Sequence, residues 1–181
     1  MRKLIALGTI SLIIACSNSG NQSANQNGNP GMTAIGQKVT VTDSNSNFLG
    51  YVLLSSYNST IVYSSTNYMY YVNWDGTISE WVLYFSSANC LGTAYFQPSS
   101  TVGFSSYGKM IFSKGGTLYK PASLDTNGNA VSQSNGTNSY YSAGTCSNAV
   151  QTIPTVTLTT ATRAEAGIPA TITPPIKLNF Q

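Results

Sequence analysis

The rhythm of apolar and polar residues changes twice along the chain and divides it into three parts. Leu4 to Ala15 is an apolar stretch interrupted by Gly8, Thr9 and Ser11. From Ser17 to Gln37 the chain reads SNSGNQSANQNGNPGMTAIGQ, with too few apolar groups to offset the entropy of ordering it. After Lys38 come short runs of Val, Ile, Tyr, Thr and Phe, separated by clusters of Gly, Asn, Ser and Asp, with no sustained helical period. We therefore expect a leader over residues 1–15, a disordered tether over 16–37, and one all-β domain over 38–181.

Within the domain the pattern predicts strands at Val39–Thr42, Phe48–Leu54, Thr60–Ser64, Tyr68–Asn73, Thr77–Phe85, Thr93–Gln97, Lys109–Phe112, Thr117–Lys120 and Thr155–Thr159. Asp75-Gly76 and Gly115-Gly116 carry the residues that tolerate the positive φ of tight hairpin turns, and Asn45–Asn47 makes a third turn. Consecutive hairpins imply an antiparallel meander, which must close as a small barrel or a sandwich to hide its edges. Thr162-Arg163-Ala164-Glu165 has capping-box spacing, and Gly167 and Pro169 follow as stop signals, so a single helical turn is expected there. Pro169, Pro174 and Pro175 should hold the C-terminal segment extended along the surface or a sheet edge.

Arg2 and Lys3 precede the first apolar stretch, giving the order of a secretory leader. A spanning helix needs about 17 residues or more, which this stretch does not reach. A buried core helix is the alternative, and it is weakened by the residues that end the stretch. Ile13-Ile14-Ala15-Cys16 resembles the relaxed lipobox of bacterial type II signal peptides, as found in spirochaetal and some other Gram-negative lipoproteins. The resemblance implies cleavage before Cys16 and a diacylglyceryl thioether on its sulfur. It also implies a membrane partner through the lipid, and Ser17 after the cysteine implies an outer-membrane destination. Two or more acyl chains anchor a protein stably, at about 0.8 kcal/mol per buried CH₂. The tether would then span on the order of 25 Å.

Charge removes several function classes. The formal charge is +3, but two of the eight basic residues lie in the leader, leaving six against five acidic ones. The six are scattered, whereas phosphate neutralisation needs them clustered, so no nucleic-acid partner is expected. The absence of histidine removes the commonest general base and metal ligand. Cys90 and Cys146 have no metal-like spacing, and in an exported chain they most simply form one disulfide, two free thiols being the alternative. Lys114-Gly115-Gly116-Thr117 reads as a hairpin tip rather than a phosphate cradle.

Carboxylate chemistry needs no histidine, so Asp75 and Glu80, with Asp125, are the candidates for an acid and base pair. On one strand, side chains five apart face opposite sides, and Asp75 is accounted for by its turn. We expect no catalytic set, no metal and no cofactor. The twelve tyrosines and two tryptophans are more suggestive. Tyr68, Tyr70, Trp74 and Tyr84 are candidates for an aromatic face that would contact a protein or carbohydrate ligand, the alternative being that such rings fill the core. If Trp81, Leu83 and Phe85 face inward, then Glu80, Val82 and Tyr84 face out.

Trp74-Asp75-Gly76-Thr77-Ile78, Tyr84, Cys90-Leu91-Gly92-Thr93-Ala94-Tyr95, Gly167-Ile168-Pro169 and Pro174-Pro175-Ile176-Lys177-Leu178 together resemble a loosely defined group of β-rich exported bacterial proteins. That resemblance implies a fold and no activity. The sequence therefore points to a non-enzymatic envelope lipoprotein, structural or binding, with a surface adhesin and a small carboxylate enzyme as the rival readings.

Overall fold

The computed structural model describes residues 38–98 and 107–181; the leader, Cys16 and the tether lie outside the described residues. The described chain is all-β, in two antiparallel sheets. The first is a meander of β1 (Val39–Thr42), β2 (Phe48–Ser55), β3 (Ser59–Tyr63) and β4 (Met69–Asn73). Alternation builds β3 and β4, where Val62, Tyr70 and Val72 turn inward and are fully buried between half-buried neighbours; β1 and β2 bury Val41 and Leu49 with Thr40 and Gly50 beside them. Val41, Leu49, Val62, Tyr70 and Val72 gather with Ile111, Leu118, Ala166 and Ile168 as one apolar core.

The second sheet has the order β6-β5-β9-β10-β8-β7, from β5 (Leu83–Ser87), β6 (Leu91–Phe96), β7 (Phe112–Lys114), β8 (Thr117–Pro121), β9 (Ser132–Ser142) and β10 (Thr145–Ala161). At Val156 and Thr157, β10 also pairs with Phe96 and Tyr95 of β6. Strands β5, β6, β10 and β9 thus form a partial ring, which hides edges that an open sheet would leave unpaired. Leu83, Phe85, Phe96, Phe112 and Val156 fill a second core, with the indole of Trp81 edge-on to Tyr71, Phe96 and Phe112 at about 5.3–5.4 Å. The expected alternation holds here: Leu83 and Phe85 are buried, Trp81 packs against them, and Glu80 and Val82 are exposed.

Turns behave as their residues require. Gly115 and Gly116 take φ of 53° and 80° and join Lys114 to Thr117 in a tight hairpin. Thr162 and Glu165 cap each other reciprocally, each backbone N–H donating to the other's side chain. Gly167 at φ 67° ends that turn, and the Ile168 N–H reaches back to the Arg163 carbonyl at 2.8 Å. After its prolines, the C-terminal segment returns as edge strand β11 (Lys177–Phe180), paired to β1 alone.

Three expectations are corrected. Thr77–Phe85 is not one strand: after the Asp75-Gly76 turn only Ile78 bridges back to Val72. The chain then crosses to the second sheet, the Trp81 N–H donating to Ser113, and β5 begins at Leu83 because the indole belongs to the second core. Lys109 to Ile111 does not form a strand of its own sheet but lies beside Met69 in parallel, leaving β7 to start at Phe112. Finally, β9 and the first ten residues of β10 form the longest ladder of the domain in a stretch that the pattern had left without structure.

Candidate functional site

A groove of about 580 Å³ runs between the Asn73–Glu80 crossing segment, the β7–β8 hairpin and the C-terminal segment at Ala170–Ile172. Ile78, Leu118 and Ile172 supply apolar walls, and Thr77, Ser113 and Thr171 supply hydroxyls. Arg163 is its cation. The capped turn fixes it there, and its Nε donates to the Pro169 carbonyl at 2.7 Å. It has no carboxylate partner, since the one ion pair among the described residues is Lys120–Glu165 at 3.1 Å. Its charge also reaches the Tyr70 phenol. Burial pushes that phenol far above its ordinary pKa, and Arg163 pulls weakly the other way.

Glu80 borders the same groove but is committed elsewhere. One oxygen accepts the Gly115 N–H and the other the Tyr141 O–H, both at 2.7 Å. That bond to a carboxylate, followed by burial, raises the Tyr141 pKa. Lys114 completes the cluster, its Nζ 4.5 Å from the Phe85 ring centre and 5.5 Å from that of Tyr141.

The other candidate carboxylates are also engaged in structure. Asp75 accepts the Thr77 hydroxyl at 2.6 Å and its N–H at 2.9 Å, which lowers its pKa. Asp125 is lowered in the same way by the N–H groups of Asn129 and Asn127 and by the Asn129 amide. Among the described residues no three of His, Cys, Asp and Glu gather in a geometry that would hold a metal. Cys90 and Cys146 are joined as a disulfide with their Cα atoms 5.9 Å apart, linking the turn after β5 to the start of β10.

The four aromatic candidates do not share a face. Tyr70 is corrected outright: it is fully buried, and its hydroxyl donates to the Leu49 carbonyl at 2.7 Å. It faces inward with Val72, two residues on. Tyr68 and Trp74 are half-buried against the same core, and the Trp74 indole N–H donates to the Tyr57 carbonyl at 2.9 Å. Tyr84 lies on the second sheet, beside Tyr140 at 6.2 Å.

Two more accessible rings escaped the sequence pattern. Phe48 and Tyr51 are three apart, which on a regular strand puts them on opposite faces. A bulge between them brings Phe48 opposite Thr42 and Tyr51 opposite Thr40, on one face. Gly50 permits it, at φ 150° and with no room for a Cβ against Val62 and the Tyr63 backbone. The rings meet edge-on at 5.3 Å, and Lys38 sits 5.0 Å from the Tyr51 ring centre. Together with Thr42 and Asn179 they line a shallow trough of about 490 Å³. The signal for this was Gly50 inside a strand.

These features define a two-sheet antiparallel β-domain with one disulfide, a cation-bearing groove and an aromatic trough. No family model, curated protein or solved structure matches the chain.

Proposed function

We propose that this protein is a lipid-anchored envelope protein whose β-domain works without catalysis, as a structural or binding module held at the outer membrane by Cys16. The observation that carries the reading is the order basic start, apolar stretch, Ala15-Cys16 and polar tether, placed directly before a disulfide-linked β-domain. Cross-linked cysteines belong to oxidising compartments, which is where such a leader sends a chain. The non-catalytic part is supported by the carboxylates, since Asp75, Asp125 and Glu80 each serve a local turn or hairpin. Detergent phase partitioning tests the anchor. The wild type is expected in the detergent phase and Cys16→Ala in the aqueous phase; recovery of both from the aqueous phase contradicts it.

A second reading, an adhesin that takes carbohydrate, is favoured by the trough rather than by the face first expected. Sugar C–H faces stack on rings such as Phe48 and Tyr51, while Thr42 and Asn179 offer hydroxyl and amide groups at the side. Titration with cellotetraose and chitotetraose should give binding that Tyr51→Ala weakens by roughly tenfold, the loss of about one stacking contact. Equal affinity in the variant, or no binding by the wild type, removes this reading.

A further inference from the structure

We propose that the end of the first sheet at which the chain enters the domain is a lipid-docking surface, seated on the bilayer that the Cys16 anchor occupies; this rests on the anchored reading above. Topology puts the relevant residues together. Lys38 precedes β1, and its carbonyl accepts the N–H of Gln181, so the start of β1 and the end of β11 lie side by side. Antiparallel β2 finishes at the same end, and the Ser56–Ser59 turn carries the chain into β3. That end displays Leu53, Leu54, Tyr57 and Phe180, of which Tyr57 is 95% exposed, Phe180 67% and Leu54 63%.

Large apolar side chains left in water at a sheet end are costly unless something covers them. Aromatic and leucine side chains flanked by a lysine suit the boundary between headgroups and acyl chains, where the ammonium stays in water and the apolar groups do not. Lys38 supplies that cation. Asp75 stands at the same end of the sheet, next to Trp74, and its carboxylate is engaged by the Thr77 N–H and hydroxyl. The turn is also braced: the Ser56 N–H donates to the Ser59 carbonyl at 2.8 Å, and the Trp74 indole N–H holds the Tyr57 carbonyl. A rigid tip loses little conformational freedom on insertion.

The length of the preceding chain selects the lipid as occupant. Only 21 residues, 17–37, separate Cys16 from Lys38, so the end of the domain at which Lys38 stands is held near the bilayer that the anchor occupies. With attachment already provided by the acyl chains, the docking surface sets orientation.

Trp74, bonded to the tip, is a built-in reporter. The full lipidated protein is placed in phosphatidylethanolamine and phosphatidylglycerol vesicles whose acyl chains are brominated near the headgroup, and flotation and tryptophan emission are read together. The expected result is co-flotation with quenching that disappears in Trp74→Phe. The double variant Leu54→Ser with Tyr57→Ser, altered only at exposed positions, should float equally and lose the quenching. Flotation without quenching, or equal quenching in the double variant, overturns the docking surface while leaving the anchor intact. A wild type that does not float overturns the anchored reading and the docking surface with it.

Discussion

Replacing Cys90 and Cys146 together by serine is expected to lower the stability of the domain by about 4 kcal/mol, the chain-entropy value for a loop of this length. The two residues are 56 apart in sequence, and the loop they close contains β6 to β9. Those strands meet the rest of the ring largely through non-local pairing, so an unfolded chain free of the cross-link gains much conformational freedom. Native geometry adds to the effect. Cys90 is buried, its N–H donates to the Ser139 hydroxyl at 2.9 Å, and both it and Asn89 take positive φ. Without the cross-link, that turn loses its covalent tie to β10. Urea unfolding of the wild type with and without reductant, beside the double variant, measures the difference. Coincident midpoints contradict the account.

The second large effect is expected at Asp43, a carboxylate with no exposed surface that closes the β1–β2 turn. It accepts the N–H groups of Asn45 and Asn47, the Asn47 amide, and the Thr173 N–H from 130 residues away. Burial alone raises its pKa, but these bonds, led by Thr173 and the Asn47 amide, outweigh burial and hold the carboxyl below the ordinary range. A depressed folded-state pKa gives stability that is complete above the unfolded value of about 3.9 and is lost as pH falls through the folded value. Asp43→Ala leaves four donors to be resatisfied and frees the C-terminal segment from the turn. Its Tm at pH 7 should fall by on the order of 10 °C. The gap between variant and wild type should narrow as the pH is taken well below 4, because protonation removes part of the same interaction from the wild type. Asp75, Asp125 and Glu165 also lose stabilising bonds in acid, but they are common to both proteins and cancel in the difference. A gap that does not change with pH contradicts this assignment.

The first sheet was legible because its strands alternate. Val39-Thr40-Val41-Thr42 shows the pattern in four residues, and the strand has the expected bounds. Some turns were legible from their glycines, as at Asp75-Gly76 and Gly115-Gly116. The β9–β10 ladder was not, because Ser132–Ser142 is SQSNGTNSYYS, a strand of hydroxyls and amides in which even the buried positions Thr137 and Ser139 are polar. Its hairpin turns at Ala143-Gly144 with both φ positive, and alanine is an uncommon residue for that role. Pro154 has no N–H to give to a ladder. The structure accommodates it opposite Ser134, where β10 is paired on one side only, β6 joining from Val156 onward.

The candidate site was less legible than the fold, since grooves are made by elements that meet only in three dimensions. Arg163 draws attention in the sequence only as part of a capping box; its role in the groove depends on the Pro169 carbonyl and on the distant Ile78 and Ser113. The aromatic content was visible, but which rings face water depends on one bulge at Gly50 and on an inward hydrogen bond from Tyr70.

The anchored reading is tested most directly by the intact mass of the protein extracted from the membranes of a bacterium that lipidates exported proteins, beside Cys16→Ala. The account predicts a wild-type chain that begins at Cys16 and carries the added mass of a diacylglyceryl group and any further acyl chain, and a variant without that mass. A wild-type chain cut elsewhere or left uncut, with no acyl mass at Cys16, would contradict it.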